Sequence, residues 1–384
     1  MASSHAAGLL LAASLAATAA EPSLKHIFPA AGAQGATVSV TATGKFDPWP
    51  VKAWTDAPGI TFKPADKAAK FEVEITKDAT PGPHFVRFFN DSGASQPRFF
   101  IVAPQPDTLD AEPNDDFHAP QKIAALPATI SGRLDKGGDV DCFAIALKKG
   151  ETLTASVEAY VLMSTFDGLL RIVDERGTQF AFNHDGHVLD PLLTWAAPRD
   201  GAFIVQLMGF VYPATSDVRL TGGDGCVYRL RLATGAPAEQ ADDAKKPAPP
   251  VAATVAADSF VVKPDKPAEI KVAVKRAKEF KAKLKLAAKN LPAGISAAEV
   301  DVPDKDGEVM LKLAAAPDCK PASGPIQLVL REVESGTEHP ARFFLTTTGE
   351  NNGVPQGYTE LVIGSTDQLW LTIVAPPSSA PPAQ

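Results

Sequence analysis

Glu269-Ile270-Lys271-Val272-Ala273-Val274-Lys275 decides how the chain is read. The surrounding residues 263–289 are rich in Lys, Ala and Glu, a composition whose intrinsic propensity favours helix. The apolar side chains fall at every second position instead. Ile270, Val272 and Val274 alternate with Glu269, Lys271 and Lys275; after a break, Phe280, Ala282, Leu284 and Leu286 alternate with Lys281, Lys283 and Lys285. A spacing of two gathers the apolar groups on one face of a strand and scatters them around a helix. Burial of that face outweighs propensity, so the segment reads as two strands of a sandwich with a lysine-lined outer face. Those lysines fit either a site for an acidic polysaccharide or lipid surface or, more simply, a solvated face that discourages edge pairing.

The same period extends in both directions. Downstream, Val309 to Leu313, Pro325 to Leu330, Ala341 to Thr346 and Asp367 to Val374 read as further strands. Upstream, Val38 and Val40 alternate with Thr37, Ser39 and Thr41, Phe71-Glu72-Val73-Glu74-Ile75 repeats the pattern, and Pro83 to Phe89 and Arg98 to Val102 follow a Pro-Gly turn and an Asn-Asp-Ser-Gly turn. The 384 residues exceed what one core usually serves, and 34 prolines and 28 glycines break the chain into short runs. The expected fold is all-β: tandem β-sandwiches joined by Pro-rich linkers. The expected divisions are a leader over 1–20, sandwiches over 21–103, 108–235 and 256–375, a Pro/Ala linker over 236–255 and a tail over 376–384. That linker has almost no large apolar residue, so the third sandwich is expected to be tethered.

Three regions carry a family resemblance. Glu112-Pro113-Asn114-Asp115-Asp116, then Gly138-Asp139-Val140-Asp141-Cys142-Phe143, the loop Asn183-His184-Asp185, Pro198-Arg199-Asp200-Gly201 and Val227-Tyr228-Arg229-Leu230 together resemble the bacterial pre-peptidase C-terminal domain. This non-catalytic, jelly-roll-like β-sandwich is appended to many secreted proteases and collagenases. The N-terminal region resembles the TIG type of immunoglobulin-like domain, closing on Gly93, Ser95, Pro97 and Phe100, and Asn290-Leu291-Pro292-Ala293-Gly294 resembles a turn of bacterial Ig-like repeats.

The first twenty residues lack Lys, Arg, Asp and Glu, and an apolar run from Leu9 to Leu15 ends in Ala16-Ala17-Thr18-Ala19-Ala20. This reads as a secretory leader cut before Glu21, leaving no transmembrane span in the mature chain and placing it in the periplasm, at the envelope or outside the cell. A net charge of −8 argues against nucleic acid as a partner. Cys142 and Cys226 are either a disulfide or, with Cys319, buried free thiols. Around Phe46-Asp47-Pro48-Trp49-Pro50 and Trp54, the aromatics are either presented for recognition or plug the core.

The chain contains no His-Glu-x-x-His, nucleophile elbow, phosphate loop or dinucleotide fingerprint. It therefore reads as a non-enzymatic protein that binds an extracellular or envelope protein or polysaccharide, with an accessory component of a secreted hydrolase system as the alternative. Asn183-His184-Asp185-Gly186-His187 with Asp190 offers metal-binding residue types, yet Asp-Gly also makes an ordinary tight turn. The acidic stretch is the stronger metal candidate. Glu112, Asn114, Asp115 and Asp116, closed by Asp139 and Asp141, supply the oxygens that calcium requires. The collagenase resemblance implies calcium at this position; the competing reading is that these side chains cap a turn and a strand start.

Overall fold

In the computed structural model, which describes residues 20–187, 189–211, 218–236, 248–347 and 361–374, every regular element is a strand. Within the first sandwich, Ser23–Phe28, Thr37–Lys45, Lys70–Ile75 and Ile60–Pro64 form one sheet in that order. The facing sheet holds Ala31–Ala33, Arg98–Ala103, Gly82–Asn90 and Lys52–Thr55. Phe71-Glu72-Val73-Glu74-Ile75 shows the expected alternation, with Phe71, Val73 and Ile75 buried and the glutamates exposed. Its core is aromatic: the Phe71 and Phe88 rings stack with centroids 4.3 Å apart, and Phe62 and Phe100 meet edge to face.

Two five-stranded sheets make the second sandwich. One sheet orders Thr108–Leu109, Ala128–Arg133, Val227–Thr234, Thr152–Glu158 and Leu192–Ala196; the other orders Gln121–Lys122, Asp141–Leu147, Gly201–Val211, Phe166–Val173 and Gln179–Asn183. The acidic loop lies between Thr108–Leu109 and Gln121–Lys122, the first strands of the two sheets, and so spans the edge of the sandwich. Phe143, Phe166, Phe203 and Tyr228 fill the interior.

The third region is one continuous eleven-stranded sheet folded over its own core. Ala268–Arg276 is a strand with Ile270, Val272 and Val274 buried, as its period required. The second strand of that segment is shorter than expected and pairs elsewhere, with Val300–Val302 and Ala322–Glu332. Only Leu284–Lys289 is strand, while Phe280 lies in the preceding turn, packed under Arg276 and His339. The linker expectation needs a larger correction. Val251–Val255 is a strand with Val251, Ala253 and Val255 buried, paired antiparallel to Ala268–Arg276 and parallel to Glu338–Thr347. Small side chains suffice there because the strand is held between two neighbours. The central part of the expected linker, residues 237–247, lies outside the described residues, as do the leader through residue 19 and the tail.

The third sandwich is docked on the first. Arg87 donates to Asp258 at 2.6 Å, and Trp370 meets Trp54 at 5.8 Å and Phe89 at 4.9 Å between ring centroids. This explains why Leu369–Ile373 is buried at every position: one face serves its own core, and the other, through Trp370, serves the junction. Trp49 and Trp54 accordingly serve packing, with the Trp49 indole N–H donating to the carbonyl of Ala65 at 3.1 Å. The first and second sandwiches meet through Ala30, Ala31 and Ile101 against Leu162 and Val227. Among the described residues, no helix is long and apolar enough to cross a membrane.

Candidate cation site at the start of the second sandwich

The acidic loop folds back on itself through its own side chains. The backbone N–H of Asn114 donates to Glu112 Oε2 at 3.0 Å, and Asn114 Nδ2 donates to Asp110 Oδ1 at 2.7 Å. From the neighbouring sheet come Asp139, in the turn following Gly138, whose φ is +89°, and Asp141, the first residue of its strand. The carboxylates of Asp110, Glu112 and Asp141 lie within 4.8 Å of one another, and so do those of Glu112, Asp115 and Asp139. Glu112 belongs to both groups and joins them into one cluster.

Burial sets the electrostatics. Asp139 and Asp141 have no solvent exposure and Asn114 has 1 %. Asp139 Oδ2 accepts from the N–H of Asp135, and Asp141 Oδ2 accepts from the Tyr228 hydroxyl. Asp139 Oδ1, Asp141 Oδ1 and Asn114 Oδ1 are buried with no donor. Desolvation, and then the charge of Asp110, pushes Asp141 up to about 9; desolvation and the facing Asp115 push Asp139 up to about 6. Asp110 rises to about 6, again by burial first. Lys136 brings one ammonium, 2.9 Å from Asp115 and 3.9 Å from Asp139. Even with Asp141 protonated at neutral pH, one monovalent cation does not balance the four remaining carboxyl groups.

Capping accounts for one oxygen each of Asp139 and Asp141 and leaves the others without a hydrogen bond, Asp139 Oδ1 meeting only the Lys136 ammonium at 3.9 Å, which costs free energy in a buried site. The donor set consists wholly of oxygen, from carboxylates and one amide on a loop. That suits a hard cation that accepts six to eight oxygens in flexible geometry, as calcium does, better than zinc. Asp110, Glu112, Asp115, Asp139, Asp141 and the Asn114 amide oxygen are the residues that would hold it. Of the residues expected from sequence, Asp116 stands apart: its carboxylate is exposed and accepts the backbone N–H of His118 at 2.9 Å while facing that ring. Asp110 and Tyr228 belong to the site and were not expected. Asp110 was legible as the start of an Asp-x-Glu pair; Tyr228, 87 residues from Asp141, was not.

The histidine stretch makes a turn. His184 pairs with Asp185 at 2.8 Å, and Asn183 Oδ1 accepts the N–H of Leu192 at 3.0 Å. Asp190 accepts the backbone N–H groups of Ala159 and Tyr160. A Cβ on Gly186 would stand 2.3 Å from the carbonyl oxygen of Leu192, so the turn requires glycine. Among the described residues the metal-capable groups are the two that share Glu112.

All three cysteines are free and buried. The lysine-lined strands are largely neutralised by neighbours: Lys271 with Glu308, Lys312 with Glu269, Lys283 with Asp304, Lys285 with Asp301 and Lys289 with Glu338. Such pairing favours the solvated-face reading over an anionic surface as partner. The chain matches no protein-family model and no curated protein.

Proposed function

We propose that this chain is an exported, non-catalytic binding protein whose β-sandwiches engage a protein or polysaccharide at the cell envelope or outside the cell. In this reading the second sandwich is of the pre-peptidase C-terminal type and is stabilised by calcium. One observation carries it: Asn114, Asp139 and Asp141 each bury an acceptor oxygen without a donor, beside further carboxylates, on the loop that spans the sandwich edge. Extracellular calcium modules bind with dissociation constants of roughly 0.1–1 mM, so such a site fills where calcium is abundant, outside the cytosol.

At ten times its dissociation constant, calcium would stabilise the fold by about 1.4 kcal/mol. Thermal melting with millimolar calcium and with chelator should therefore differ by a small, reproducible rise. Glu112→Gln should abolish the rise, because it removes the charge common to both groups while keeping an acceptor for the N–H of Asn114. In parallel, the immobilised mature chain should retain a partner from envelope or matrix fractions, more strongly with calcium than without. Identical melting curves would remove the cation, and no retained partner would remove the binding role.

A further inference from the structure

We propose that the cleft between the first and second sandwiches is a docking groove for an extended, acidic peptide segment of a partner protein. The inference rests on the binding role above and selects protein over polysaccharide. The cleft has a volume of about 820 Å³ and runs along the connection between the two sandwiches, Ala103 to Thr108. Junctions between domains are common places for ligand clefts of this size.

Its walls decide the class of partner. Proline, alanine, isoleucine and valine dominate, and among the described residues no aromatic side chain lines the cleft. A sugar ring would find no face to stack on, whereas an extended main chain can lie along shallow aliphatic walls. Its charge decides the sign. Arg229 is fully engaged, with Nε and Nη2 donating to Asp107 and Nη1 to Glu158 at 2.7–2.9 Å. Arg231 reaches Glu158 only at 3.4 Å, and its side chain is 58 % exposed. Lys122 lines the same cleft, is exposed, and pairs with no described carboxylate. The two carboxylates are thus held by Arg229, and two cations face the opening of a chain whose net charge is −8. A local positive spot on an acidic protein steers carboxylates to it and repels basic segments.

The test uses the full mature chain and a fluorescein-tagged peptide of alternating Glu and Val, with the Lys/Val peptide and polygalacturonate as comparators. Fluorescence anisotropy should show saturable binding of the acidic peptide that weakens with salt. Binding should fall at least about tenfold in the double variant Lys122→Glu with Arg231→Glu and stay unchanged in Lys312→Glu, which reverses an exposed charge on the third sandwich. Circular dichroism and melting should match the parent, since neither replaced side chain is buried. Equal binding of the basic peptide, preferential displacement by polygalacturonate, or indifference to the double variant would each overturn the groove. A partner retained from envelope fractions by the double variant as well as by the parent would leave the binding role standing and remove only this site.

Discussion

His26 shows how much one side chain can weigh. It is 9 % exposed, its Nδ1 has no partner, and it sits at the contact between the first and second sandwiches, near Gly225. Desolvation, followed by the charges of Arg98 and Lys25, lowers its pKa from 6.5 to about 4. As pH falls below 6.5 the unfolded chain takes up this proton and the folded chain does not, so stability is lost progressively from 6.5 down to about 4. The full effect is up to about 3 kcal/mol. His26→Phe should flatten this part of the acid limb, and the comparison of parent with variant cancels the carboxylates that titrate in the same range. Urea denaturation at several pH values measures it; parallel acid limbs would show that His26 protonates without opening the contact. The acidic loop teaches the same lesson about single residues. Glu112, Asn114 and Asp115 announced themselves by their density in the sequence. Lys136 and Tyr228 did not, because their parts depend on a turn and a strand pairing formed far along the chain.

For an element, the question is what period two can and cannot reveal. It identified Ala268–Arg276 against a helical composition, because three β-branched residues share a face. It overextended the next strand to Phe280, where an apolar residue is half-buried from a turn, and it passed over Val251–Val255, whose Ala-Ala-Thr centre looks like linker. A strand between two partners is held by its neighbours, and only its ends need bulk. Val251 and Val255 are 2 % and 6 % exposed. Val251→Ala should destabilise the third sandwich by about 2 kcal/mol, from two lost methyl groups and the space they leave. Ala252→Ser, on the opposite face of the same strand, should change little. Chemical denaturation distinguishes the two, and equal, negligible effects would return these residues to the linker.

At the level of the whole molecule, the junction between the first and third sandwiches joins residues 171 positions apart, and nothing in the sequence signals it. Sandwich architecture was legible because each strand writes its own pattern; docking was not, because Arg87 in one strand and Asp258 before another carry no shared pattern. Arg87 is completely buried, donates through Nη1 to Asp258 and to the carbonyl of Ser95, and leaves Nε and Nη2 without partners. Burial lowers the Arg87 pKa while Asp258 opposes that fall, so the ion pair offsets a desolvation cost and does not add a large surplus. Removing one partner should therefore be far worse than removing both. Arg87→Ala strands the Asp258 carboxylate and should destabilise by roughly 3–5 kcal/mol, whereas Arg87→Met with Asp258→Leu should be near neutral or stabilising. Trp370 lies against Trp54 and Phe89, so tryptophan emission reports the junction directly. In Arg87→Ala the emission should shift red before the sandwiches unfold, and in the double variant it should stay with the main transition. If both variants lose the same stability, the ion pair itself holds the third sandwich in place and the apolar rings around it do not.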